Sequence, residues 1–273
     1  MLCLKRSLST LCLLCVAVVA RAENGAAVPA ASEPQSLPVL DLAFIENPAT
    51  EGEREIIAMR ILEDGRVLLP NERTGRMEVV SRMAPDELQK LTSEMLHDHG
   101  LPGLRSENLK QEISTLCQQQ GFDEHISGAA ATAIRLRDQK SIHFVRCPAV
   151  SIAAARFPEC ADVQNMFAIQ LRLQNVAAVA RAGGVDAAKT LARQANQILQ
   201  QTQPLSEPLE VNDLAMVREL PSGRRYVQFY RKASLSSNGP GTEEAREGVL
   251  VSMFDDPGQA PRVSVMYESA IAR

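Results

Sequence analysis

Ile57-Ala58-Met59-Arg60-Ile61-Leu62-Glu63-Asp64-Gly65-Arg66-Val67-Leu68-Leu69 is the stretch that decides the fold. Ile57, Met59 and Ile61 alternate with Ala58 and Arg60, which is the period of a strand with one apolar face. Asp64-Gly65 supplies the left-handed residue that a tight reversal needs, and Val67 to Leu69 forms the return. A chain that doubles back this quickly makes antiparallel neighbours, because a parallel pair needs a long crossover. A third strand is predicted at Met77 to Met83, after the turn Asn71 to Gly75.

Working outward from this hairpin, Pro85, Asp86 and Glu87 suit a helix start, with Leu88, Leu91 and Met95 at helical spacing until Gly100 and Pro102. A second helix is predicted from the cap Ser106 through Leu109, Ile113 and Leu116 to Gly121. Alternation returns at Thr132, Ile134 and Leu136, reverses at Asp138 to Lys140, and resumes from Ile142 to Cys147. Asp162 to Ala182 then carries a long helical stripe, with Met166, Ile169, Leu173, Val176 and Ala180 in line and Phe167 and Leu171 beside it, wide enough for burial on more than one side. After Gly183-Gly184 a helix resumes from Asp186 to Gln200. Pro204 and Pro208 return the chain to extended form, and strands are predicted at Tyr226 to Arg231, Val249 to Phe254 and Arg262 to Tyr267. Hairpins separated by helices predict an α+β fold, an antiparallel sheet with helices packed on one face. The expected organisation is a signal peptide over 1–22, a flexible tether over 23–38 and a single α+β domain over 39–273, with 39–147 and 148–273 as candidate sub-modules. The two hairpin-then-helices passages leave open a duplication.

The address is written at the start of the chain. Lys5 and Arg6 precede an apolar run from Ser7 to Ala20, and Ala20 and Ala22 flank Arg21, the order of a secretory signal cleaved after Ala22. The run is shorter than the roughly 20 residues of a membrane span. An exported, periplasmic or extracellular protein is therefore expected, with no membrane span after cleavage. The whole chain has a net charge of −4, and losing Lys5, Arg6 and Arg21 makes it more acidic, which disfavours nucleic acid and anionic membrane surfaces. With 45% hydrophobic and 23% charged residues the composition is that of a globular protein, while the absence of Trp and only 3 Tyr weigh against stacking surfaces for sugars or bases.

Cys117, Cys147 and Cys160 follow the signal segment. Cys147 and Cys160 are the nearest candidates for a disulfide outside the cytoplasm, the alternative being three small buried hydrophobes. Gly183-Gly184-Val185-Asp186-Ala187-Ala188-Lys189-Thr190 mimics a phosphate-binding loop, but Ala188 replaces a required glycine and a helix, not a strand, precedes it. His97-Asp98-His99, with Glu94, is the densest group of metal-ligand types, although side chains two apart on a helix diverge by about 200°. Asp123-Glu124-His125 places an acid beside a histidine in a loop, a candidate for proton transfer. His143, between Ile142 and Phe144 in a strand, is predicted to point to solvent or satisfy one core hydrogen bond rather than serve as a base. Arg224-Arg225-Tyr226 and Phe229-Tyr230-Arg231-Lys232 form the aromatic and basic cluster, suited either to docking an acidic partner or to simple strand alternation.

The layout of signal, Ala/Pro tether, hairpins and Gln- and Ala-rich paired helices resembles the uncharacterised exported proteins of planctomycete-type bacteria. That resemblance implies export and assigns no functional residue. The residues predict no catalytic, cofactor-binding or metal site, and no cofactor. They point first to a non-enzymatic protein binding another protein or an envelope component through a sheet edge or helix face. The rivals are a secreted hydrolase with a dispersed site drawn from His97, His99, Asp123, Glu124 and His125, and a small-ligand carrier with an apolar pocket.

Overall fold

A computed structural model describes residues 36–46, 52–123, 129–139, 141–220, 222–232 and 248–268. The expected signal segment, most of the tether, Glu124 and His125 lie outside the described residues. The fold is α+β, and the described residues form five α-helices and ten strands in antiparallel sheets. The chain divides between Gln170 and Leu171 into two compact units.

The first unit holds a six-stranded sheet in the order β4-β3-β2-β1-β5-β6. Its strands are β1 (Pro38–Glu46), β2 (Arg54–Leu62), β3 (Arg66–Pro70), β4 (Met77–Arg82), β5 (Ala131–Arg137) and β6 (Ile142–Pro148). The Asp64-Gly65 reversal joins β2 to β3 as expected. Gly65 has φ +81°, and a Cβ there would lie 2.3 Å from the Met83 carbonyl oxygen, so only glycine fits. The helices are α1 (Pro85–Ser93), α2 (Ser106–Gln120), α3 (Val150–Arg156) and the start of α4 (Ala161–Ala182). Leu40 and Leu42 pair with Ile61 and Met59 on one side and with Leu136 and Ile134 on the other, and all six are buried. Thr132, on the same sheet face, donates a buried 2.6 Å hydrogen bond to Gln170 of α4.

The β1 strand was not among the predicted ones, and the reason is physical. It is central and buried on both faces, Leu40 and Leu42 on one and Ala43 and Ile45 on the other, so it lacks the alternation that marks a half-exposed strand. Packing also begins earlier than expected: the Glu63 amide donates to the Leu37 carbonyl and the Asp64 amide to Ser36 Oγ, which ties the end of the predicted tether to the β2–β3 turn.

The second unit holds the rest of α4, then α5 (Val185–Thr202), β7 (Leu214–Glu219), β8 (Arg225–Arg231), β9 (Gly248–Asp255) and β10 (Arg262–Glu268). Its sheet runs β10-β9-β8-β7. Val227, Phe229, Val251 and Met253 form the sheet side of a core completed by Ala188, Leu191, Ala195 and Leu199 of α5. Two amides, the buried Asn175 and the half-buried Asn196, secure the connections. Asn175 Nδ2 donates to the Val211 and Leu214 carbonyls at 2.7 and 2.9 Å, and Asn196 exchanges a reciprocal pair of hydrogen bonds with Leu209. The β7 strand was also unpredicted, because it is short and an extra residue, Ala215, breaks its pairing with β8.

Candidate functional site: the edges of the two sheets

Two sheets leave four edges, and each edge strand presents backbone N–H and C=O groups that a further strand would pair with. Three of the four are blunted. In β4, Val80 is an extra residue against β3, a bulge that twists the strand. In β7, Ala215 does the same. In β6, the Arg146 amide donates to Ser106 Oγ at 2.9 Å, and Pro148 ends the strand. Ser106 was expected to cap α2. Instead Arg105 holds the cap position, and the serine hydroxyl is spent on the strand edge.

The fourth edge, β10, carries none of these devices among the described residues. All seven residues pair with β9 without a register shift, from Arg262 opposite Phe254 to Glu268 opposite Gly248. Its centre, Val263-Ser264-Val265-Met266-Tyr267, contains no charge, proline or glycine. Val263 and Val265 sit half-buried at the rim of the core, while Met266 and Tyr267 are 47% and 41% exposed. At the head of the strand, Arg262 Nη2 reaches Asp256 Oδ2 at 3.0 Å. Asp256 also binds Arg224, and these two guanidinium groups hold its carboxyl below the usual carboxylate range.

The faces of the sheets differ as well. Across the first sheet, opposite the Leu40 and Leu42 face, Arg60 holds Asp41 through two hydrogen bonds of 2.7 and 2.8 Å, Arg135 binds Glu55, and Arg146 binds Glu53. The Arg135 hydrogen bond lowers the Glu55 pKa against a burial effect that raises it. On the second sheet, the face away from α5 carries Tyr226, Gln228 and Ser252. Tyr226 OH lies 3.1 Å from Ser252 Oγ and from Gln228 Nε2, while Gln228 Oε1 is buried without a hydrogen-bond partner among the described residues. The basic and aromatic cluster is divided by this sheet: Phe229 enters the core, Tyr226 and Tyr230 take the opposite face, and Arg231 and Arg224 pair with Asp213 and Asp256.

The chain matches no family model, no curated protein and no solved structure.

The remaining candidates resolve locally. His97 is exposed, and His99 turns back on Glu94 at 3.6 Å, because the end of the first helical segment is a π turn in which the His99 amide bonds the Glu94 carbonyl. Glu94 thus meets His99 rather than His97, and no group of three metal-ligand side chains forms among the described residues. A shallow concavity open to solvent follows α1 past Asp86, Lys90, Glu94 and Asp98, and includes neither histidine. Asp123 is exposed, with its carbonyl accepting from Arg156. Near His143 the geometry superficially imitates a catalytic relay: Nε2 lies 3.0 Å from Ser141 Oγ and 3.1 Å from Asp138 Oδ2. A relay needs hydroxyl and carboxylate on opposite ring nitrogens, whereas here both crowd one, and Asp138 also accepts the Ser141 amide as a turn residue does. Lys189 pairs with Asp186 one turn away, and Thr190 bonds the Asp186 carbonyl, so the glycine-led stretch is an ordinary helix start after a helix. Cys117, Cys147 and Cys160 are buried, and no disulfide joins them among the described residues. Burial pushes the Cys147 thiol up to about 12 and the Cys160 thiol up to about 11, the setting of inert rather than reactive cysteines. Among the described residues no helix is long and apolar enough to cross a membrane.

Proposed function

We propose that this chain is an exported binding protein that captures an extended segment of another protein chain by pairing it with the edge of β10. The reading rests on one observation: of the four sheet edges, β10 alone is regular, uncharged at its centre and uncapped among the described residues. An added strand gains affinity from backbone hydrogen bonds and specificity from alternate side chains. On the α5 side those side chains would cover the rim valines Val263 and Val265, so the preferred segment alternates apolar and polar residues. Export rests on the N-terminal segment and on the resemblance to exported planctomycete-type proteins, which makes an envelope or secreted protein the partner.

Selection from a random ten-residue peptide library tests the reading, with wild-type protein and Met266→Lys compared. Met266 is exposed, so the lysine leaves the fold intact while placing a charge on the edge. Wild type should enrich peptides with alternating apolar residues, and the variant should lose at least about ten-fold in affinity for them. Peptides that bind both proteins equally would refute the assignment to β10.

A further inference from the structure

The β10 sequence is complementary to itself when read in the opposite direction. Its seven residues run Arg262-Val263-Ser264-Val265-Met266-Tyr267-Glu268. Laid antiparallel against a second copy, with Val265 on the two-fold axis, Arg262 stands opposite Glu268 of that copy, and Glu268 opposite its Arg262. Both ends of the paired strands therefore place an arginine and a glutamate at facing register positions. On the α5 side Val263 faces Tyr267 of the second copy, and Val265 faces Val265. On the other side Ser264 faces Met266. Shifting the register by two residues in either direction separates the charged ends from each other.

We propose that the partner of the β10 edge is a second copy of this chain, joined by an antiparallel β10–β10 pair centred on Val265. The proposal rests on the reading of β10 as the binding edge and names its occupant. Pairing would make one continuous eight-stranded sheet, β7-β8-β9-β10 followed by the same strands in reverse, and would remove both open edges at once. It also covers what the single copy leaves half-exposed. Val263 and Val265 are at the rim of the core and Tyr267 is 41% exposed. In the pair, the tyrosine ring of one copy lies over Val263 of the other. Arg262 is already oriented at the head of the strand by Asp256, and its side chain remains 67% exposed. The symmetry is closed, so the contact ends at two copies and does not propagate into a filament. A single strand pair falls at the small end of specific interfaces, below about 1,200 Å², so the dimer forms in concentrated protein and dissociates on dilution.

Sedimentation equilibrium of the mature protein, together with oxidative cross-linking, tests this. Wild type should be a concentration-dependent dimer, and Met266→Lys should dissociate at least about ten-fold more readily. The doubly substituted Ser264→Cys, Met266→Cys protein places a thiol from each copy directly across the strand pair at two symmetric points. With copper-phenanthroline as oxidant it should cross-link to a covalent dimer, and each single substitution should cross-link far less, since the like positions are diagonal. Both sites are exposed, so circular dichroism of the variants should match wild type. A wild-type monomer at the highest attainable concentration would overturn the second copy as partner, and peptides selected in a β10-dependent way would still support the edge. A dimer unchanged by Met266→Lys, or a double variant that cross-links no better than the singles, would overturn the β10–β10 pair.

Discussion

The two sheets solve the same problem in opposite ways. The first sheet closes its edges, with a bulge at Val80 on β4 and the Ser106 hydroxyl on β6, and laces one face with Arg–carboxylate pairs. The second sheet closes β7 with the Ala215 bulge and leaves β10 straight. Edge strands invite other strands, so the unblunted one in a chain that blunts three is where function is best sought. Local chemistry agrees among the described residues: His99 and His143 are held by Glu94 and Asp138, and the three cysteines lie in buried cores.

The largest effect expected from a single substitution lies in the first sheet. Gly65→Ala forces a Cβ into the Met83 carbonyl at a left-handed position, and should cost about 3 kcal/mol or more in chemical denaturation. A cost under about 1 kcal/mol would show that the β2–β3 turn relaxes freely. In the second unit, Asn175→Leu strands the Val211 and Leu214 carbonyls and should cost about 2 kcal/mol. Gln228→Leu, at an equally buried amide whose Oε1 lacks a partner among the described residues, should change stability by less than about 1 kcal/mol. Equal costs at the two positions would break the distinction between a satisfied and an orphaned amide.

A sharper contrast comes from exchanging the edge devices. Deleting Val80 removes the β4 bulge and should give the chain a second adhesive edge, now on the first sheet, seen as new self-association in light scattering. Ser264→Lys should do the reverse on β10, with stability within about 0.5 kcal/mol of wild type. Acid should have the smallest and most diffuse effect. Glu55 and Asp256 titrate below the ordinary carboxylate range in the folded chain because Arg135 and Arg224 bind their charged forms. Their contribution is therefore complete above the unfolded carboxylate range and disappears as pH falls through the lower folded values. Stability should stay level between pH 6 and 8, as far as these groups decide it, and decline below about pH 4. A loss already complete at pH 5 would point to other groups.

The hairpins, the long helix and the α+β class are readable in the sequence because alternation and Asp64-Gly65 are local signals. What escaped is what depends on neighbours. β1 is a central strand without alternation, β7 is interrupted by a bulge, and α3 is too short for a helical period to show. Ser106 reads as a helix cap until β6 comes alongside, and the approach of His99 to Glu94 exists only because the helix ends in a π turn. The distinction of β10 was equally invisible. Its residues spell an ordinary strand, and being an edge is a property of sheet order rather than of composition.

Amide hydrogen exchange, resolved along the chain and measured with and without a saturating β10-selected peptide, tests the central claim most directly. Alternate amides between Val263 and Tyr267 should exchange quickly in free protein diluted to the monomer and become protected on binding, while those of β4, β6 and β7 stay as they were. Protection appearing on β4, β6 or β7, or on the helix faces, with β10 unchanged, would contradict the assignment of the binding edge.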